Sequence, residues 1–362
     1  MTATINTATV NADTTSAANT GGEAPFSAQQ LGALAQYLCT HVKQFSGLPV
    51  IKALTGGQSN PTFLLDAGGE RYVLRKKPPG KLLNSAHAIE REYRIIAALR
   101  ESRVPVPQVY ALCEDASIIG SPFYIMAFVE GRTFLDPSLP AVPAEQRAAI
   151  YDELNRVICT LHQVDYTAVG LADFGKPANY LERQINRWTR QYRESETETI
   201  PAMEHLIAWL PKNLPLAEET SIVHGDFRID NMIFHPTEPR ILAVLDWELS
   251  TLGNPLVDFA YHCMSWRVTP DEFRGLKGHD LAALGIPLED AYVQQYCQRT
   301  GRTEIPHWNY YIVFNMFRMA AILQGIKWRA KNGNAASLEA EKTGRLAIPM
   351  AQAGWRQVEA ML

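Results

Sequence analysis

The chain has 362 residues, a formal net charge of −4 and 46% hydrophobic residues, enough for a large core divided over two lobes. Its mild acidity argues against bulk binding to nucleic acid, which needs a basic face to displace counterions. The five cysteines (Cys39, Cys113, Cys159, Cys263 and Cys297) are scattered and form no CxxC pair. They indicate neither a zinc site nor a disulfide framework, and fit free thiols in a reducing cytosol.

Residues 1–25, rich in Ala, Thr, Asn and Gly, have neither the basic start nor the apolar stretch of a secretory signal and read as a disordered tail. No apolar run approaches the roughly 18 residues of a membrane helix. The expected location is the cytoplasm, without membrane attachment. "SAQQLGALAQYLCTHV" has helical spacing behind a Ser N-cap. "PVIKAL", "PTFLLDAGGE" and "RYVLRKKPP" follow as strands parted by "TGGQSN" and a Gly-Gly turn, an antiparallel meander. "NSAHAIEREYRIIAALRE" reads as a helix, then "VPVPQVYALCED" and "SPFYIMAFVEG" as two more strands. Residues 26–130 are thus a small sheet lobe with one crossing helix.

From Gly131 to residue 362 the pattern is mainly helical. "PAEQRAAIYDELNRVICTLHQVD" places Ile150, Leu154, Val157, Ile158 and Leu161 on one face. Further helices are expected near 179–193, 201–210, 287–299, 307–330 and 336–361. Between them "IVHGDFRIDNMIFH" and "ILAVLDWELS" form a short hairpin bearing carboxylates. The expected fold class is α+β, an antiparallel-sheet N-lobe before a larger, mainly helical C-lobe.

The carboxylate-bearing segments carry chemistry. One chemistry that uses a base beside hard oxygen donors is phosphoryl transfer, which the family resemblance described next implies and which is mostly positioning and charge neutralisation. Asp226 is the candidate to orient and deprotonate an acceptor hydroxyl. Asn231, five residues on, and Asp246 offer the hard oxygens that Mg²⁺ prefers. Against this stands the plainer reading in which Asp226 and Asp230 only cap turns.

"HGDFRIDN" resembles the catalytic loop of the protein-kinase-like fold, in its aminoglycoside/choline kinase branch, and "LDWE" resembles that branch's metal-binding motif. "TGGQSN", "YVLRKK" and "EREY" resemble its Gly-rich loop, strand and helix, in order, over roughly residues 45–265. The resemblance implies a two-lobed kinase fold and ATP with Mg²⁺ as cofactors. Gly56, Gly57, Ser59 and Asn60 would cover the phosphates, although this turn departs from the GxGxxG of protein kinases. Arg75 would hold the α- and β-phosphates, with Lys76 as the other choice. Alternation puts Val73, Arg75 and Lys77 on one face of the strand. Helical spacing puts Glu92 in the apolar stripe with Ile89, Tyr93 and Ile96, where it needs a cationic partner. Arg75 is the expected one, while Glu90 suits the surface. "YIMAFVEG" would be the hinge, with adenine on the backbone of Ala127 and Val129. Arg228 stands where many protein kinases carry a lysine that contacts the γ-phosphate; a surface salt bridge is its plainer reading. His224, His162 and Asp258 read as architectural, and Glu248 as an outer neighbour of the metal.

Arg183, Arg187, Arg190 and Arg193 recur on one helical face in "NYLERQINRWTRQYR" and suit an anionic acceptor, or else a solvated face paired with "ESETE". "GGQSNPTFLLD", "YVLRKKPPGKLLNSAHAIEREYR" and the segment from His224 to Cys263 resemble the kinase-like domain fused to acyl-CoA dehydrogenases in some eukaryotic proteins. That likeness implies phosphorylation of a hydroxyacyl-CoA and a functional link to a separate acyl-CoA dehydrogenase. The chain's length is taken up by the kinase lobes, so a dehydrogenase label would come from the fused relatives. Two alternatives stay open: an aminoglycoside or other amino-alcohol phosphotransferase, and a nucleotide-binding pseudokinase module.

Overall fold

The structure is a computed structural model and describes residues 25–54, 60–78, 88–216, 218–332 and 338–362. The expected tail, apart from Pro25, and Gly56, Gly57 and Ser59 lie outside these residues. The chain divides into two compact units. One takes residues up to Leu135 together with Asp230–Glu248; the other takes Asp136–Ile229 and Leu249–Leu362.

In the first unit, α1 (Ala28–His41) opens with a reciprocal capping box between Ser27 and Gln30, which satisfies two orphan donors of the first turn. β1 (Val50–Ala53), β2 (Thr62–Ala67) and β3 (Glu70–Lys76) precede α2 (Ile89–Leu99), and β4 (Val109–Cys113) and β5 (Phe123–Ala127) complete the sheet. The strand order is β1-β2-β3-β5-β4, antiparallel throughout. The β2–β3 turn is Gly68-Gly69, both with positive φ, as a two-residue hairpin requires. Leu34, Leu38 and Val42 at α1 join Phe63, Leu65, Tyr72 and Leu74 in one buried core. β3 is therefore covered on the Tyr72/Leu74 side, which leaves Val73 and Arg75 to face the other way.

β7 (Met232–Phe234) and β8 (Ile241–Val244) form a hairpin within this unit. The boundary read near Gly131 leaves these residues with the helical part. The structure ties them to the sheet unit instead: Arg132 and Phe234 exchange backbone hydrogen bonds at 2.8 Å, and Val244 N–H donates to Pro105 O at 2.9 Å.

The second unit contains α3 (Ala144–His162), α4 (Tyr180–Glu194), α5 (Pro201–Trp209), β6 (Ser221–Val223) and β9 (Thr251–Gly253). α6 (Pro255–Cys263), the one-turn helices α7 (Pro270–Phe273) and α8 (Leu281–Leu284), and α9 (Glu289–Thr300) lead to α10 (Trp308–Lys331). α10 is buried from Tyr310 to Ile326 and forms the axis of the unit. The single helix expected over 336–361 is two, α11 (Leu338–Arg345) and α12 (Ala347–Glu359). Pro349 explains the break, because its ring conflicts with the carbonyl four residues back. The expected carboxylate hairpin is also two pairings. β6 joins β9 rather than β8, since Gly225 at φ +82° turns the chain out of the strand.

Candidate active site

One group of candidate residues lies in the sheet unit. β3 carries Arg75 and α2 carries Glu92, and both are buried. Arg75 Nε donates to Glu92 Oε2 at 2.9 Å, and Arg75 Nη2 donates to Asp246 Oδ1 at 2.9 Å. Glu248 Oε2 lies 3.9 Å from the same guanidinium. Burial alone would lower the proton affinity of Arg75, but Glu92 and Asp246 raise it above the ordinary arginine value. Burial pushes the Glu92 carboxyl up to about 7, against the pull of Arg75. Lys76, the other choice for the phosphate cation, points to the opposite face, 5.1 Å from the Phe26 ring centroid. Glu90 stays at the surface, paired with Lys77 at 2.9 Å.

Asp246 adopts φ +64°, sparsely populated for a residue with a side chain and characteristic of functional turns. Its neighbour Leu245 donates N–H to Asn231 O at 2.8 Å, which fixes Asn231 and Asp246 at one end of the β7–β8 hairpin. Both are hard oxygen donors. Three carboxylates around one guanidinium leave local negative charge, which suits a divalent cation. Among the described residues no three His, Cys, Asp or Glu side chains gather as a metal cage. Mg²⁺ does not need one, because it takes one or two protein ligands alongside phosphate and water.

Arg75, Glu92 and Asp246 line a cleft of about 930 Å³, its open mouth included, with walls from Leu54, Val73, Met126, Phe128, Ile233 and Val244. Ala127 and Val129 also line it. The Ala127 N–H is already donated to Gln108 O at 2.8 Å, so its carbonyl is the group left to consider for a ligand. Asn60 is buried, and neither its Oδ1 nor its Nδ2 bonds another described residue.

A second group of candidate residues lies in the helical unit. Asp226 is buried and accepts from Tyr261 Oη at 2.6 Å. Arg228 Nε lies 3.0 Å from Asp226 Oδ1 and Nη2 lies 3.5 Å from Oδ2. The Asp226 N–H donates to His224 Nδ1 at 3.1 Å. Asp258 on α6 accepts from His224 N–H and Gly225 N–H, both at 2.8 Å, and its Oδ2 stands 3.2 Å from His162 Nε2. Burial pushes Asp258 up, but His162 and His224 outweigh it and hold its carboxyl below the usual range. Arg318 Nη2 donates to Gly225 O at 2.5 Å. A Cβ on Gly225 would meet Leu249 O at 2.7 Å. The peptide before Asp226 is therefore held on both its amide and carbonyl sides.

On α4, Arg187 Cζ lies 5.1 Å from the Trp188 ring centroid, and Arg190 is exposed. Arg183 Nη2 donates to Lys176 O. Arg193 turns away to Glu204 at 2.5 Å and Glu196 at 3.4 Å, so one residue of "ESETE" pairs with the arginine face.

Tyr261 and Arg318 escape sequence reading. Tyr261 follows Asp258 by one helical turn, but the helices read from the sequence do not include α6. Arg318 had a legible signal, a lone cation within an apolar helical run, where burial demands a purpose.

The antiparallel sheet with its ion-paired cation, followed by a helical unit carrying a buried aspartate on a turn, defines a kinase-like phosphotransferase. A sequence model of the phosphotransferase enzyme family matches residues 50–307, and the chain belongs to that family. It is 51% identical to mouse acyl-CoA dehydrogenase family member 10 over 83% of this chain and 28% of that protein. It is 42% identical to rat acyl-CoA dehydrogenase family member 11 over 89% of this chain and 42% of that protein. The chain thus spans less than half the length of these relatives. A crystal structure from Ralstonia eutropha that carries the aminoglycoside phosphotransferase name is 55% identical, with a TM-score of 0.84 over 91% of this chain and 98% of that one. An aminoglycoside phosphotransferase solved with ADP and hygromycin B shares the fold at 17% identity and a TM-score of 0.58, over 90% and 98% of the two chains. No described helix is long and apolar enough to cross a membrane.

Proposed function

We propose that this phosphotransferase moves the γ-phosphoryl group of ATP, in the presence of Mg²⁺, to a hydroxyl of a hydroxyacyl-CoA. The Arg75 cluster carries this reading: a buried guanidinium, fixed by Glu92 and shared with Asp246, lines a cleft whose remaining wall is largely apolar. Arg75 would face the α- and β-phosphates, while the Ala127 carbonyl and Val129 N–H meet the adenine edge. Gly56, Gly57, Ser59 and Asn60 would cover the phosphates. Asn231 and Asp246 would hold Mg²⁺, which when bound neutralises phosphate charge.

Asp226 orients the acceptor hydroxyl. The hydroxyl oxygen bonds to the γ-phosphorus as the bond to the β–γ bridging oxygen breaks. ADP leaves with that electron pair, and the hydroxyl proton passes to Asp226. Arg228, in reach of the same carboxylate, exchanges Asp226 for the transferring phosphoryl group. The acyl-CoA acceptor, and a link to a separate acyl-CoA dehydrogenase, draw support from the names of the curated relatives.

The aminoglycoside reading is favoured by the name of the Ralstonia structure. It is opposed by the arginines of the helical unit, because aminoglycosides are cationic. Mg²⁺-dependent ADP release, measured with hydroxyacyl-CoAs, hygromycin B, kanamycin and choline in parallel, separates the two. Turnover confined to the hydroxyacyl-CoAs is expected, and turnover confined to the amino alcohols would replace this acceptor with theirs. If Mg·ATP does not bind at all, the chain is a binding module rather than a kinase.

A further inference from the structure

Beside the Asp226 turn, the helical unit holds a second cationic arrangement. Arg318, from the middle of α10, is 6% exposed. Its Cζ lies 5.0 Å from the Tyr261 ring centroid and 5.4 Å from that of Trp188. Nη2 is committed to Gly225 O, while the buried Nε has no hydrogen-bond partner among the described residues. Arg187 approaches the same indole from α4, at 5.1 Å. Two guanidiniums thus share one aromatic ring. Burial, then the neighbouring Arg318, lowers the proton affinity of Arg187, as like charges out of water must.

The nearby carboxylates are already engaged. Asp226 holds Tyr261 and Arg228, and Asp258 holds His162 and two backbone amides. A buried guanidinium with an unmet donor, beside a second cation, needs an oxygen from outside the unit.

We propose that Arg318 and Arg187 form a binding site for the acyl oxygen of the acceptor, and that Arg318 is a specificity-determining residue. This rests on the reading of Asp226 as the carboxylate that meets the acceptor hydroxyl. The distance supplies the chemistry. Arg318 stacks on the ring whose hydroxyl holds Asp226, so its ligand lies within a short carbon chain of the reacting hydroxyl. The phosphates of CoA stand a whole pantetheine arm away from the acyl group. The oxygen in reach is the acyl group's own, a thioester carbonyl in the CoA ester or a carboxylate in the free acid. An acceptor with only hydroxyls would leave the guanidinium unmatched, and sites built around a hydrogen bond discriminate strongly against analogues that lack it.

The test compares 3-hydroxybutyryl-CoA, 3-hydroxybutyrate and butane-1,3-diol in ADP-release kinetics with wild type, Arg318→Gln and Arg187→Gln. The thioester and carboxylate arms show which acyl oxygen is taken. In wild type at least one acyl compound should exceed the diol in kcat/KM by about tenfold or more. That preference should collapse in Arg318→Gln and shrink in Arg187→Gln, with the KM for ATP retained. Arg318 is the residue that holds the Gly225 carbonyl, whereas Arg187 reaches the Trp188 ring from α4, so the Arg187 variant leaves the Arg318–Gly225 bond in place and tests ligand binding apart from it. An acyl preference unchanged in both variants overturns the proposal. So does parallel loss of acyl and diol turnover in Arg318→Gln with an unchanged preference in Arg187→Gln. If wild type turns over none of the three, the acyl-CoA reading above falls, and calorimetric titration of 3-hydroxybutyryl-CoA decides the arginine site alone. Weaker binding in Arg187→Gln supports the site, and equal binding overturns it.

Discussion

Asp226 is held by a phenol and a guanidinium, both of which need an acceptor opposite them. Asp226→Asn removes the proton-accepting oxygen and sets an amide against those donors. With a verified acceptor, turnover should fall by about 10²–10⁴-fold, while Mg·ATP affinity stays within about twofold because the nucleotide cleft is built from other residues. Single-turnover kinetics and a nucleotide titration measure the two, and near-normal turnover would remove Asp226 from the chemistry. Arg75 makes a different prediction. Its fork spans Glu92 and Asp246, so Arg75→Met leaves two buried carboxylates without their cation and should destabilise the fold by about 3–5 kcal/mol. Arg75→Lys keeps the charge but loses the fork. It should lose less stability, yet bind Mg·ATP about tenfold more weakly. Equal unfolding midpoints for the two variants would show that charge is not what the carboxylates require.

At the level of elements, α1 closes the sheet face opposite the cleft. Ser27 caps it and Leu38 is fully buried in the shared core. Ser27→Ala should cost about 1 kcal/mol and Leu38→Ala about 3 kcal/mol, both read as shifts of the urea midpoint. A wild-type midpoint in Leu38→Ala would mean that α1 adds nothing to the core. Most helices and strands were legible because their apolar periodicity is local: the meander, the Gly68-Gly69 turn and the Glu92 face of α2 need only neighbouring residues. The strand pairing of the carboxylate segments was not legible. β6 and β7 are both three residues long and wholly buried, so no alternation in their pattern says which strand each will join.

Across the molecule, buried titratable groups set the pH response. Burial holds His262 down at about 4, against backbone and Asp258 interactions, and its Nε2 lies 2.8 Å from Tyr292 Oη. The unfolded chain protonates this histidine near 6.5, the folded chain only near 4. Its contribution is therefore complete above about 6.5 and is lost as pH falls towards 4, by up to about 3 kcal/mol. Glu92 works the other way in part of that window. Raised to about 7, it holds a proton that the unfolded chain has released, which favours the fold as pH falls. The difference between wild type and His262→Gln isolates the histidine. Denaturant unfolding at pH 7.5 and pH 5 should show the wild type losing more stability than the variant; equal losses would mean that His262 is not the titrating group.

By itself the sequence determined the family, the two-part α+β plan and the residues at the motif positions. These depend on local spacing: Asn231 five residues after Asp226, and Arg75 and Glu92 each on a definable face. Only the tertiary structure decided what surrounds them. Tyr261 reaches Asp226 from 35 residues away and Arg318 reaches Gly225 from 93, separations at which neither periodicity nor motif spacing carries information. The same holds for Asp246, whose pairing with Arg75 spans 171 residues. A residue's own neighbours set its face and its turn, but its partner in a buried ion pair is chosen by packing that brings distant segments together.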